Sequence, residues 1–409
     1  MKSTILSVFC GLVLISFITN TSNAQTSAAG STDSTFTPSG KFSAQFFGDV
    51  FYKMHADSLA RDNNGQYSGA TASGAPNVPK NSYDFQLRRV YLGYNYDISK
   101  SFTTEFLLAY EEGNAGSTLD LTSERSVYMK LANIRWKNIF ANADVIFGAQ
   151  ATPGYTASSE ANWGYRSVEK TLTDKNGIIK SSDLGLALRG AFNDAKDYGY
   201  DLLLADGTGQ KLPALLSGGD NSGRNKKLYV DLWGKFMEKK IVVQVYFDDQ
   251  KTSDPADQNV STLKFYAAYA TTPLTIGAEL FMQTKTNSVK DSNFSSQNNE
   301  VADQKPFGFS VFATAQLIEN SLNAFARFDM FNPDNNYLTS GVKYTGGDNA
   351  TGFANTTFIV AGLDWTPYKN VHIMPNLWYQ GYTAKATGTT GKVSSDNDIV
   401  PRITFFYKY

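Results

Sequence analysis

The chain has 409 residues, a single cysteine and a nearly balanced charge, with 37 Lys and Arg against 38 Asp and Glu. Nucleic-acid binding normally requires a basic patch, so no nucleic-acid partner is predicted. One cysteine can form neither an internal disulfide nor a cysteine cluster for a metal, and no cofactor or metal site is predicted.

The N-terminal residues have the parts of a cleaved secretory signal peptide, predicted over residues 1–24. Lys2 is the basic region, Ile5–Ile18 is apolar, and Ser22–Ala24 supplies the small residues that a signal peptidase reads. The alternative is a membrane anchor, but the apolar stretch is shorter than the ~20 residues that a spanning helix needs. Residues 25–40 are rich in Ser and Thr and are interpreted as a flexible lead-in.

From Lys41 onwards, apolar and polar residues alternate with a period of two, which indicates strands with two different faces. In one such run the outer face is predicted to hold Ile241, Val243, Val245 and Phe247, and the inner face Val242, Gln244, Tyr246 and Asp248. Similar runs follow at residues 263–269, 307–316 and 322–330. Runs of this kind last about ten residues, which is enough for a tilted strand to cross a membrane.

The connectors between these runs alternate between short and long. The predicted short connectors are Asp97–Lys100, Lys137–Asn138, Asn193–Asp197, Met237–Lys239, Thr271–Pro273, Ile318–Asn320 and Thr366–Lys369. The predicted long connectors are Lys53–Ser82, Glu112–Ser123, Ala151–Ser182, Gly207–Arg224, Gln250–Val260, Thr284–Pro306, Asn332–Ala354 and Gly381–Asp396. This pattern predicts an all-β fold, a transmembrane antiparallel β-barrel of about 16 strands over residues 41–409, with short periplasmic turns and long extracellular loops.

Aromatic side chains support a barrel in the outer membrane of a Gram-negative bacterium. The rings that flank predicted short turns are Tyr94, Tyr96, Phe102, Trp136, Phe140, Trp365 and Tyr368. Membrane barrels place rings at both interfaces, although β-propensity alone also enriches rings in strands. The alternative fold, a secreted β-sandwich or propeller, would explain many strands but not alternating connector lengths.

Two stretches resemble the phosphate-selective porin O/P family. Leu87–Gly93 resembles the second strand of that family, and Phe147–Gly154 resembles the strand end that leads into a long loop, here containing Tyr165–Glu169. The resemblance covers most of the chain in length, strand number and loop order. It implies a homotrimer of barrels, each with a pore that the third outer loop narrows.

The C-terminal stretch Arg402–Tyr409 alternates aromatic residues and ends on one. It resembles the last strand that the barrel-assembly machinery recognises in outer-membrane proteins. The predicted partners are therefore that machinery, outer-membrane lipid and lipopolysaccharide.

The alternation also predicts which charged side chains line the pore. The basic ones are Arg89, Lys130, Arg189, Lys235, Lys264, Arg327 and Arg402. The acidic ones include Asp49, Glu105, Asp144, Asp201, Asp231, Glu279, Asp329 and Asp364. Phosphate selection needs an excess of cations along a pore, and these two sets roughly cancel. We therefore predict a water-filled channel for small polar solutes or ions, with preference for anions such as phosphate as an alternative.

Ala151–Ser182, the third long connector, is predicted to fold inward over residues 151–182 and to form the constriction. A free surface loop of this length would be polar, whereas this one carries rings that need a surface to pack on. The predicted constriction residues are Glu160, Trp163, Tyr165, Arg166, Glu169 and Lys170. Their opposite charges would impose a transverse field. The alternative is an outward loop that packs on a neighbouring barrel.

Two other classes of function remain open. An outer-membrane enzyme would generally use a histidine as its base, and the chain has two, His55 at the start of a long connector and His372 near a short turn. A lone loop histidine is more often solvated, so no catalytic residue is predicted. The other class is a barrel with a closed lumen that acts as a structural or adhesive protein.

Overall fold

The computed structural model describes residues 36–57, 80–111, 127–156, 159–209, 225–253, 257–290, 301–336, 354–384 and 395–409. The predicted signal peptide and residues 25–35 of the predicted lead-in lie outside the described residues. Ser39 and Gly40, at the end of the predicted lead-in, already belong to the first strand.

The described residues form one sheet of 17 strands. Its strands are β1 (Ser39–Tyr52), β2 (Tyr83–Asp97), β3 (Phe102–Glu111), β4 (Tyr128–Phe140), β5 (Ala143–Ala151), β6 (Ser182–Ala191), β7 (Tyr198–Ala205), β8 (Lys227–Phe236), β9 (Ile241–Ser253), β10 (Gln258–Ala270), β11 (Leu274–Lys290), β12 (Val301–Gln304), β13 (Phe307–Ile318), β14 (Leu322–Asn332), β15 (Ala354–Tyr368), β16 (Val371–Ala384) and β17 (Asp396–Lys408). Three short helices lie between β5 and β6: α1 (Pro153–Thr156), α2 (Ser159–Trp163) and α3 (Leu172–Lys175).

The sheet closes on itself, because β1 pairs antiparallel with both β2 and β17. The short β12 and the following β13 both pair with β11, so they share one position in a wall of 16 strands. The predicted antiparallel barrel is therefore confirmed. None of the helices within the described ranges has the length and apolarity to cross a membrane.

The two faces of the wall differ as the alternation predicts. On the outer face Val245, Phe265 and Phe309 are 42%, 40% and 37% exposed, whereas their neighbours Gln244 and Lys264 are buried. Apolar side chains outside and polar ones inside are what a closed sheet needs in lipid, where every backbone group must be paired within the wall. The wall is therefore that of a transmembrane barrel of an outer membrane.

Four predicted connectors were wrong in their bounds because the strands continue into them. β9 and β10 remain paired as far as Ser253 and Gln258, which leaves only residues 254–257 between them instead of a long loop. β11 likewise runs to Lys290 and pairs there with β12. The predicted connectors Thr366–Lys369 and Gly381–Asp396 are also shorter, because β15 runs to Tyr368 and β16 to Ala384. Most residues in the extensions of β9, β10 and β11 are polar, so their sequence is typical of a loop although their backbones form a ladder.

A further difference lies at the predicted turn Lys137–Asn138. Here β4 continues to Phe140, and its pairing with β5 shifts between Trp136 and Phe140. Asn138 and Asn142 both have positive φ, 52° and 59°. Asn tolerates this left-handed conformation, so the chain forms an irregularity at Asn138 and turns a few residues later.

Candidate functional site

The candidate site is the interior segment, defined as the described residues 152–156 and 159–181, together with the inner face of the wall that it contacts. Its two ends are tied together where β5 ends and β6 begins. The Thr152 hydroxyl donates to the Lys180 carbonyl at 2.5 Å, and the Thr152 amide donates to the Ser181 carbonyl at 3.2 Å. The middle of the segment is therefore a closed loop that leaves the wall and returns to the same place.

An apolar anchor holds the segment on β13 and β14. Trp163 is completely buried, and its ring lies edge-on to Phe312 and Phe325 at centroid distances of 5.4 and 6.0 Å. Tyr165 also packs on Phe325, at 4.3 Å. The Trp163 indole N–H donates to the Glu169 carbonyl at 2.8 Å, which satisfies the one polar atom of the buried ring. Phe312 and Phe325 are on the inner face, so the segment lies inside the barrel.

A polar anchor holds the same part of the segment on β2, many strands away around the wall. Arg89 Nη1 donates to the Arg166 carbonyl at 3.1 Å. Arg88 Nη1 donates to the Ser167 carbonyl at 3.2 Å and to the Val168 carbonyl. The segment therefore crosses the lumen from the β5–β6 wall and contacts both β2 and β13–β14.

The charges of the segment pair with one another. Arg166 Nη1 lies 3.1 Å from Glu160 Oε1 and 2.6 Å from Asp174 Oδ2. Lys170 Nζ lies 3.9 Å from the other oxygen of Asp174. Burial opposes the charged form of Asp174, but the nearby cations of Arg166 and Lys170 outweigh it and lower the pKa of that carboxyl to about 2. The Asp174 carboxylate is therefore ionised at neutral pH.

Glu169 joins the segment's charges to the wall. Its carboxylate lies 3.6 Å from Arg88 Nη2. Burial raises the pKa of Glu169, yet the cations of Arg88, Lys175, Arg89 and Arg327 outweigh burial and lower the pKa to about 2. The predicted constriction residues are thus gathered in one connected group, with Trp163, Arg166 and Glu169 buried.

A second set of contacts joins the segment to β10 and β11. Lys264 Nζ donates to the Gly154 carbonyl at 3.0 Å and to Ser159 Oγ at 2.8 Å, and it lies 3.4 Å from Glu279. Glu279 in turn accepts a hydrogen bond from the Thr173 amide at 3.1 Å. Both wall residues were predicted from the alternation, and both serve here to position the segment.

The structure places the predicted pore-lining side chains on the inner face, where several form pairs. These pairs are Arg189–Asp201 at 2.9 Å, Arg327–Asp329 at 2.6 Å, Arg402–Asp49 at 3.3 Å, and Lys130–Glu111. Asp231 accepts from Gln244 at 2.8 Å and Glu105 from Asn133 at 3.1 Å, while Lys235 Nζ lies 5.4 Å from the Trp233 ring centroid. Whether these residues line a conducting pore stays a prediction.

Two cavities lie within the barrel. One of about 690 Å³ is lined mainly by polar residues of β1–β6, among them Lys41, Glu105 and Arg135. The other, of about 210 Å³, is lined by the segment and by β13, β15, β16 and β17, including Tyr165 and His372. The larger cavity is therefore lined by the wall, and the smaller one by the segment and the wall together.

Sequence reasoning missed Arg88 and Glu111 as interior charges. Simple alternation directs Arg88 outward, because Arg89 next to it faces inward. Glu111, the last residue of β3, was placed just before a long connector, yet it pairs with Lys130 inside the barrel. In the sequence, the indication that Arg88 could face the lumen was its position next to Arg89 in the O/P-like stretch.

The two histidines occupy different parts of the wall. His55 Nδ1 lies 2.7 Å from the Asn397 carbonyl, beside the start of β17. His372 Nδ1 lies 2.8 Å from Asp364 Oδ1 and 3.4 Å from Thr366 Oγ1, close to the turn between β15 and β16. Each imidazole is thus held by the strand or turn beside it.

Neither a protein-family model nor a curated protein sequence matches the chain significantly. Among solved structures, an anion-selective porin from Comamonas acidovorans is similar with a TM-score of 0.56 and 12% identity, over 91% of this chain and 100% of that one. The outer membrane channel DcaP of Acinetobacter baumannii gives 0.59 and 12%, over 91% and 97%. OprB of Pseudomonas putida gives 0.56 and 9%, over 90% and 94%. The chain therefore has the fold of outer-membrane porins.

Proposed function

We propose that the chain forms a water-filled diffusion channel for small polar solutes or ions. The observation that carries this proposal is a closed barrel with a charged inner face and a polar cavity of about 690 Å³ inside it. A protein that only needed a filled core would favour apolar side chains there, because buried charges are costly to desolvate. Two of the similar structures are named an anion-selective porin and an outer membrane channel, which supports the same function.

We propose further that the interior segment is the constriction. Its charged members, Glu160, Arg166, Glu169 and Lys170, carry opposite signs at close range. Such a field favours small hydrated polar solutes over apolar ones, because an apolar solute gains nothing when it displaces oriented water.

Weak ion selectivity follows from the pairing of the lumen charges. Each pair, such as Arg189–Asp201 or Lys264–Glu279, presents little net field to a passing ion. Anion preference, with phosphate as the specific case of the O/P-like family, would require cations without such partners on the path. We therefore infer a general channel, and keep anion selectivity as the second possibility within the same class.

The assembly proposed for this channel is a homotrimer in outer-membrane lipid and lipopolysaccharide. The C-terminal strand is the proposed contact with the barrel-assembly machinery. No catalytic activity is proposed.

Planar-bilayer recording of the purified protein tests the proposal. We expect stable single-channel steps and, under a roughly tenfold salt gradient, a reversal potential well below the ~59 mV that one fully selected monovalent ion would give. A value close to that limit on the anion side would support the anion-selective alternative. Heat-denatured protein is the control, since it should give no steps.

A structural barrel with a closed lumen is a second candidate, favoured by the segment's contacts with both β2 and β13–β14. Folded protein that gives no steps, while a variant with residues 159–172 replaced by a short Gly-Ser linker conducts, would support this candidate. No steps from either protein would reject the channel altogether.

A further inference from the structure

Arg88 occupies a β-bulge, which explains how two consecutive arginines can both face the lumen. Phe47 of β1 pairs with Arg89 of β2, and the next residue, Gly48, pairs with Leu87. Arg88 is therefore the extra residue of the ladder. A bulge changes the direction of a side chain, so Arg88 points inward together with Arg89 instead of outward into lipid.

The two guanidinium groups bind three successive carbonyls of the interior segment, those of Arg166, Ser167 and Val168. Arg88 also lies 3.6 Å from Glu169 and 3.4 Å from Asp49 of β1. A planar fork with several N–H donors can serve all of these acceptors at once, which a lysine cannot do.

We propose that Arg88 and Arg89 are a clamp that positions the interior segment against the β1–β2 wall and thereby sets how open the channel is. The proposal rests on the channel function proposed above. In this proposal, the two consecutive arginines of the O/P-like stretch bind the backbone of the constriction and do not act by direct contact with the solute.

The apolar anchor at Trp163 and the arginine clamp differ in kind. The Trp163 anchor is a buried ring among Phe312 and Phe325, so it depends on packing. The clamp consists of hydrogen bonds and ion pairs from the β1–β2 side, and substitution of Arg88 removes most of them. Loss of the clamp leaves the segment attached at Trp163 and through Lys264 and Glu279, and opens space along β1 and β2.

Arg88→Ala is the central test, with Lys227→Ala as the matched control. Lys227 of β8 is also a buried inward-facing cation, but its Nζ lies 2.9 Å from Asp248 and 4.9 Å from the Tyr229 ring centroid, which both belong to the wall. We expect Arg88→Ala to increase the ratio of open to closed dwell times by roughly tenfold or more, the factor carried by one charge-assisted hydrogen bond. Arg88→Lys should show a smaller increase, and Lys227→Ala little change.

A second comparison separates positioning from a simple change of pore charge. In a protein whose residues 159–172 are replaced by a Gly-Ser linker, Arg88→Ala should have no further effect, since the clamp has nothing left to hold. An equal effect in both backgrounds would mean that Arg88 acts on ions directly and would overturn the proposal. So would identical dwell times for Arg88→Ala and Lys227→Ala in folded protein.

A spin label at Ala161→Cys keeps the clamp testable if the wild-type protein does not conduct. Ala161 is exposed within α2, so a label there reports the motion of the segment. We expect Arg88→Ala to increase the label's mobility while Lys227→Ala does not. Unchanged label mobility in Arg88→Ala would reject the clamp, whether or not the barrel conducts. Increased label mobility in a protein that does not conduct would support the clamp but reject the channel function.

Discussion

The first prediction concerns Trp163, whose removal should free the segment from β13 and β14. Its ring is completely buried, touches Phe312, Phe325 and Tyr165, and lies 5.1 Å from the Arg327 guanidinium carbon. Truncation of a buried Trp costs about 3–5 kcal/mol. Because the wall has its own backbone ladder, most of this loss should fall on docking of the segment and little on closure of the barrel.

Trp163→Phe separates the contribution of the indole N–H hydrogen bond from the contribution of ring packing. It keeps a ring in the aromatic cluster but removes the N–H that donates to Glu169, so it should cost only about 0.5–1.5 kcal/mol for the hydrogen bond, plus a smaller packing loss. Single-channel conductance should increase most for Trp163→Ala and less for Trp163→Phe, while heat-modifiable migration of the folded barrel remains. Trp365→Ala, at an outward ring that is 49% exposed, is the control. Equal conductance for wild type and Trp163→Ala would refute the reasoning.

The remaining predictions test the register, the buried carboxylates and the orientation. Val245→Arg should hinder folding by about 2–4 kcal/mol because it faces lipid, whereas Gln244→Arg faces the Asp231 carboxylate and should be tolerated; equal heat-modifiable fractions would show a register error. Glu169 and Asp174 have lowered pKa values of about 2, so their stabilisation of the segment should be complete above the ordinary carboxyl pKa of ~4 and disappear as pH falls towards 2. The mobility of a spin label at Ala161→Cys on the segment should therefore be constant from about pH 8 to pH 5 and increase only in strong acid; an increase near neutral pH would contradict these assignments. On intact cells, protease tags in the 98–101 turn should be protected, and tags in the 291–300 connector should be cleaved; the opposite pattern would invert the barrel.

The barrel could be predicted from the sequence because its signal is local. Whether a side chain faces lipid or lumen depends on its position along its own strand, and alternation at Gln244 and Val245 shows this directly. The bulge at Arg88 could not be found in this way, since it depends on how β2 pairs with Gly48 of another strand. The extension of β9 and β10 was missed for the same reason, as polar residues such as Asn259 pair through their backbones.

The interior segment was predictable in part. Its rings indicated that it must pack on something, and that inference depended only on its own composition. The packing partners of Trp163 could not be inferred, because Phe312 and Phe325 come from strands more than a hundred residues later in the chain. Only the closed barrel brings them within reach.

Closure of the barrel depends on the pairing of β1 with β17, which are the first and last strands of the sheet. The hairpins, in contrast, join strands that follow each other in the sequence. Gln45 lies opposite Lys408, so the last contact that seals the wall joins the two ends of the barrel sequence. Until that seam forms, the sheet has two free edges, each offering unpaired backbone groups to any other strand nearby. Such distant pairing is slow to form, because loop-closure entropy must be overcome first. A chain cut short before β17 would accordingly be an open, aggregation-prone ribbon rather than a narrower channel.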